Sequence, residues 1–152
     1  MENFPGTCIA FSEDAVLFRG PSGCGKSDLA LRCINRGATL ISDDQTVLCK
    51  ENNKIFASPP ATIAGKLEVR GLGIVEFPYI KRAQLTLVLD LVNEDAFERL
   101  PNINFVDYFD LKIPNIRPLH PRFLESRKMN PERLSNKTLL QYSRHPNLTL
   151  EI

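Results

Sequence analysis

The segment Gly20-Pro21-Ser22-Gly23-Cys24-Gly25-Lys26-Ser27 fits the pattern G-x-x-x-x-G-K-S at every fixed position. This octapeptide constrains the fold more than any other stretch, because its chemistry works only in one setting. Glycines let the backbone bend until its N–H groups point inward at an anion. A helix must start at the loop's end, so that its positive pole faces the same anion. Lys26 then reaches the β- and γ-phosphates of a nucleoside triphosphate, and the Ser27 hydroxyl takes Mg²⁺. All eight residues, Gly20, Pro21, Ser22, Gly23, Cys24, Gly25, Lys26 and Ser27, are therefore candidates for nucleotide binding. Cys24 fills a variable position, with a redox role beside the phosphates as the less favoured alternative.

The neighbouring sequence supplies that setting. Apolar runs at Thr7–Phe11 and 15–19, split by Ser12-Glu13-Asp14, predict a β-hairpin leading into the loop. A helix is predicted over residues 26–36, with Leu29, Ala30, Cys33 and Ile34 on one face. Arg32 and Arg36 suit its C-terminal pole, and Gly37 its cap. Thr39–Ser42 reads as a buried strand that ends at Asp43-Asp44. At the end of such a strand one aspartate can hold Mg²⁺ and the other accept the proton of an attacking hydroxyl. Without the phosphate loop, the pair would read as an ordinary turn.

Further along, residues 46–49 and 54–57 predict a second hairpin, and a loop runs from Ser58-Pro59-Pro60 to Gly65. The run 85–92 is the strongest strand signal, residues 106–113 read as strands, and short helices are expected at 122–129 and 135–142. The pattern implies an α/β fold: one P-loop kinase domain over 1–152, a mixed central sheet with flanking helices, and a loosely held tail at about 143–152. The chain of 152 residues carries a net charge of +1, which argues against a nucleic-acid or membrane footprint. Four cysteines lack C-x-x-C spacing, and no apolar run approaches the roughly 18 residues of a membrane span. A cytoplasmic protein with reduced thiols is expected.

Between residues 67 and 75, Leu67-Glu68-Val69-Arg70-Gly71-Leu72-Gly73-Ile74-Val75 sets one acid, one base and two glycines in an apolar run. By chemistry alone Glu68 could complete a Mg²⁺ shell and Arg70 could steady a phosphate; a surface ion pair is an equal reading. Taken with the phosphate loop, Arg36-Gly37 and Ser42-Asp43-Asp44, this stretch resembles the HPr kinase/phosphorylase family over roughly residues 7–92. The chain looks like the short proteobacterial form, which lacks the family's N-terminal domain. The resemblance implies a phosphoenolpyruvate-carboxykinase-like fold and ATP- and Mg²⁺-dependent phosphorylation of a serine of HPr, the small carrier of the bacterial sugar phosphotransferase system. It also implies a homo-oligomer, in this family a hexamer. By the same resemblance Lys26 and Asp44 are catalytic, and Ser27 and Glu68 hold the metal; Asp43 is then the aspartate of the pair expected to hold Mg²⁺.

Two departures stand out. Pro5-Gly6-Thr7 occupies the place of a family histidine, and Ile116-Arg117-Pro118-Leu119-His120-Pro121-Arg122 replaces a Pro-x-Arg-Pro-Gly-Arg-Asn stretch. The expected activity is therefore mainly forward, with weak or absent phosphorolysis. A nucleotide-binding sensor with little turnover and a small-molecule P-loop kinase are the alternatives.

Overall fold

The structure, a computed structural model, describes residues 1–93 and 102–119. The expected helices at 122–129 and 135–142 and the tail at 143–152 lie outside the described residues. The elements run β1 (Glu2–Pro5), β2 (Thr7–Phe11), β3 (Asp14–Arg19), α1 (Lys26–Ile34), β4 (Thr39–Ser42), β5 (Gln45–Glu51) and β6 (Lys54–Ser58). There follow β7 (Lys66–Val69), β8 (Gly73–Glu76), β9 (Ala83–Leu91), β10 (Asn102–Tyr108) and β11 (Leu111–Leu119).

Nine strands form one mixed sheet in the order β1-β5-β6-β9-β3-β2-β4, with β11 on β9 and β10 on β11. The central strand β9 pairs in parallel with β3 along one edge. Its other edge is shared, antiparallel β6 taking Ala83 and Gln84 and parallel β11 taking Val88 to Leu91. The small hairpin β7–β8 stands apart as a second sheet.

Both faces of the central strands are covered. On the α1 face, Ile9, Val16, Phe18, Leu87 and Leu89 pack with Leu29, Ala30, Cys33 and Leu67. On the opposite face, Cys8, Ala10, Leu17, Ile41, Leu48, Ile55, Leu85 and Val88 pack with Tyr108 and Ile113. Successive strand side chains alternate between faces, so a strand buried on both sides reads as an unbroken apolar run. That is why 7–11 and 85–91 were so legible.

The mixed central sheet matches expectation, but the flanking helices do not: among the described residues there is a single α-helix. Consecutive strands pair as hairpins at β2–β3, β5–β6, β7–β8 and β10–β11, and among the described residues one connection, β3 to β4, runs through a helix. The Asn52-Asn53 and Phe109-Asp110 turns have φ of 50° and 59°, and 52° and 64°. Paired positive φ values match the right-handed twist of hairpin strands. The second of these turns breaks the run 106–113 into the β10–β11 hairpin, and Phe109-Asp110 carries no glycine or proline to announce it. Strand β1, its side chains mostly exposed, also escaped the sequence pattern. The helix ends at Ile34, two residues early, closed by Gly37 N–H on Ile34 O and Ala38 N–H on Cys33 O, with Gly37 at φ 104° as a C-terminal cap requires.

Candidate functional site

The loop from Gly20 to Gly25 joins the C-terminal end of β3 to α1. Its start is pinned to β9. A Cβ on Gly20 would stand 2.6 Å from Leu91 O, and its φ is 151°. One residue earlier, Arg19 grips Asp90 with Nε–Oδ1 at 2.6 Å and Nη2–Oδ2 at 2.8 Å, and Nη1 donates to Tyr108 Oη at 3.2 Å. Hydrogen bonding to Asp90 raises the Arg19 pKa further above its usual range, so the guanidinium stays charged. Arg19 and Asp90 were missed from sequence. Their only signal is a charge in each of two apolar runs, Arg19 closing one and Asp90 interrupting the other.

The N-terminal residue before α1, Gly25, has φ 95° and no side chain caps the helix. The first turn's N–H groups therefore face outward without a side-chain acceptor, as anion binding needs. Lys26 Nζ donates to Gly20 O at 2.8 Å and Pro21 O at 3.0 Å, so the ammonium lies over the loop it belongs to. Cys24 is buried, its Sγ 3.9 Å from Lys26 Nζ.

Ser27, on the first turn of α1, donates its hydroxyl to Asp43 Oδ1 at 2.7 Å. Asp43 is 7% exposed and gathers two further donors: Thr7 Oγ1 to Oδ1 at 2.9 Å, and the Glu68 N–H to Oδ2 at 3.0 Å. One carboxylate thus ties together the helix after the phosphate loop, the start of β2 and the β7 strand. The two aspartates part company at this point. Gln45 N–H closes back on Asp43 O at 2.7 Å, around Asp44 at φ 67°. This turn leaves Asp44 exposed while its neighbour is buried.

Glu68 lies exposed on β7, opposite Ile74, and Arg70 sits in the β7–β8 turn. Among the described residues the two form no ion pair, so the surface-pair reading fails there. The backbone of Glu68 is joined to the Asp43 cluster; its side chain shares no hydrogen bond with that cluster. Among the described residues no three His, Cys, Asp or Glu side chains converge on one point. One carboxylate beside one hydroxyl is nonetheless a hard-oxygen pair suited to Mg²⁺, which commonly takes one or two protein ligands and completes its shell with substrate phosphate and water. The donor set fits that ion better than a softer metal. No described helix is long and apolar enough to cross a membrane.

Comparison with known proteins extends the likeness beyond residues 7–92. The family model described as HPr Serine kinase C-terminal domain matches residues 2–120. An HPr kinase/phosphorylase of Streptococcus thermophilus is 33% identical over 114 residues, 67% of this chain and 37% of that protein. One of Malacoplasma penetrans is 33% identical over 125 residues, 74% of this chain and 42% of that protein. The chain thus spans about two fifths of the length of these curated relatives. The structure titled Hpr(Ser) kinase/phosphatase from Coxiella burnetii superposes with a TM-score of 0.76, covering 97% of this chain and 99% of that one. At 24% identity it speaks for the fold alone.

Proposed function

The chain belongs to the HPr serine kinase C-terminal domain family, and on that premise we propose that it is an ATP-dependent protein serine kinase whose acceptor is HPr. The observation that carries this reading is the 2.7 Å contact between Ser27 Oγ and Asp43 Oδ1, at the open N-terminus of α1. A helix pole, a lysine, a hydroxyl and a buried carboxylate at one strand end are the parts phosphoryl transfer asks of a protein.

The backbone amides of the loop from Gly20 to Gly25 hold the triphosphate. Lys26 exchanges its contacts with Gly20 O and Pro21 O for phosphate oxygens. Ser27 and Asp43 would hold Mg²⁺, with Glu68 as a further ligand from the neighbouring hairpin. Bound there, the ion would neutralise charge on the phosphates and the leaving oxygen. Asp44, exposed beside the buried Asp43, accepts the proton of the acceptor serine as its oxygen bonds to the γ-phosphorus. The bond from that phosphorus to the bridging oxygen breaks, and ADP leaves. HPr must cover the nucleotide for this in-line geometry, so we place its docking face over the phosphate loop, Asp43-Asp44 and the β7–β8 hairpin. We further infer a cytoplasmic protein and a homo-oligomer; gel filtration with light scattering tests the oligomer, and cell fractionation the location.

The test incubates the protein with ATP, Mg²⁺ and HPr and maps phosphate by mass spectrometry. One phosphoserine on HPr is expected. ATP binding with no transfer would favour the nucleotide sensor, and transfer to a small metabolite alone would favour the small-molecule kinase. A second arm offers phosphoserine-HPr with inorganic phosphate. Two anions must then be held together, which calls for arginine forks, and the chain lacks the arginine-bearing Pro-x-Arg-Pro-Gly-Arg-Asn stretch. Pyrophosphate should form far more slowly than phosphoserine does in the forward direction.

A further inference from the structure

Thr7 is fully buried, and among the described residues its side chain makes one polar contact, to Asp43. Strand β2 lies between β3, which leads into the phosphate loop, and β4, which ends at the aspartates. It runs antiparallel to both. Cys8 pairs with Ser42, so the next step of that ladder sets Thr7 opposite Asp43. Residues opposed in an antiparallel pair project from the same face. Thr7 shares its face with Ile9 and so with α1, which carries Ser27.

The backbone at this point is held from two sides. Gly6 N–H donates to Asp44 O at 2.8 Å, and Thr46 Oγ1 donates to Gly6 O at 3.0 Å. Gly6 itself, at φ 151°, has no room for a Cβ, which would stand 2.8 Å from Phe18 O. Thr7 is therefore delivered to Asp43 by a fixed piece of chain.

A carboxylate's terminal torsion is broad, so an aspartate held by one donor can swing. Asp43 has three donors: Thr7 and Ser27 on Oδ1, and the Glu68 amide on Oδ2. With Oδ1 locked toward α1, the Ser27 hydroxyl spends its proton on Asp43 and keeps its lone pairs for a cation. We infer that Thr7 is a positioning residue: its hydroxyl fixes the Asp43 carboxylate in the orientation that lets Ser27 and Asp43 together hold a divalent cation. This rests on the kinase reading above and adds to it a residue that acts through Asp43 without touching the nucleotide.

The test measures Mn²⁺ binding by electron paramagnetic resonance, with a non-hydrolysable ATP analogue present, in the full chain. Thr7→Val keeps the shape and deletes the donor. It should weaken Mn²⁺ binding about tenfold, as loss of a hydrogen bond to a charged group does. Metal-free affinity for the analogue should be unchanged, and Thr7→Ser should lie within about twofold of wild type by the same reasoning. Should Thr7→Val not fold, Thr7→Ser against Thr7→Cys carries the same comparison, an oxygen donor against a weak sulfur one. Wild-type Mn²⁺ affinity in Thr7→Val, or in Thr7→Cys, overturns the inference while leaving the kinase reading intact. Equal weakening in Thr7→Val and Thr7→Ser also overturns it, since methyl packing would then be the cause. Failure of the wild-type chain to bind the metal–analogue pair overturns both.

Discussion

Asp43 is buried with donors on both oxygens, while Asp44 stands exposed at φ 67°. Positive φ is uncommon for residues other than glycine, and asparagine and aspartate tolerate it best. Asp44→Asn therefore keeps the turn and removes only the proton acceptor. ATP binding should survive, and transfer to serine should fall about 10²–10⁴-fold if Asp44 is the general base. Single-turnover assays with HPr check this; transfer at the wild-type rate would remove Asp44 from the chemistry. Lys26 makes a different prediction. Among the described residues its ammonium contacts its own loop's carbonyls and the Cys24 sulfur, and it belongs to neither core cluster. Lys26→Ala should leave the melting temperature nearly unchanged and abolish triphosphate binding or turnover. Calorimetry with an unchanged ATP affinity, together with unchanged turnover, would refute it.

At the scale of elements, the β3–β9 pair decides where the phosphate loop begins. Arg19 is paired with Asp90 in register and bound to it by a two-pronged ion pair, and Gly20 then passes close to Leu91. Two glycines of positive φ make the comparison. A methyl on Gly20 would meet Leu91 O at 2.6 Å and Cys24 Sγ at 2.9 Å, whereas one on Gly37 meets nothing within 4 Å. Both positions carry positive φ, so both substitutions cost something. Gly20→Ala adds overpacking, typically about 1–3 kcal/mol, and shifts the loop. Urea unfolding should show Gly20→Ala as the less stable of the two, and only Gly20→Ala should lose nucleotide affinity. Equal midpoints would mean that β9 yields freely beneath the loop.

At the largest scale, the described residues form one mixed sheet with a core on each face and a small second sheet, and the thiols report on both cores. Cys33 lies in the α1-side core, where burial pushes its pKa up to about 11; Cys8, in the opposite core, is pushed up further by burial. Cys49 is only half-buried. At pH 8 the native protein should alkylate at Cys49 and protect Cys8 and Cys33 until the chain unfolds, as peptide mass mapping would reveal. Labelling of Cys33 at the rate of Cys49 would contradict this packing. The pH dependence has a definite sign. A thiol whose folded pKa is raised binds its proton more tightly in the native state. The stability contributed by protonated Cys33 is thus complete below the unfolded value of about 8.5. It is lost as pH rises through about 11, so unfolding midpoints should fall across that window.

The local features were written in the sequence because they depend on neighbours along the chain. The phosphate loop, the helix beginning at Lys26, the cap at Gly37 and the doubly buried strands follow from glycine geometry and side-chain period, which act over a few residues. The fold family was legible for the same reason, through contiguous motifs. What the tertiary structure alone decided depends on register between distant strands. That β2 lies between β3 and β4 puts Thr7, 36 positions away in sequence, onto Asp43. The same assembly brings the Glu68 amide to the same carboxylate, ties Arg19 to Asp90 and sends Asp43 inward and Asp44 outward. No periodicity specifies such pairs, because a hydrogen bond between strands is set by how the sheet closes.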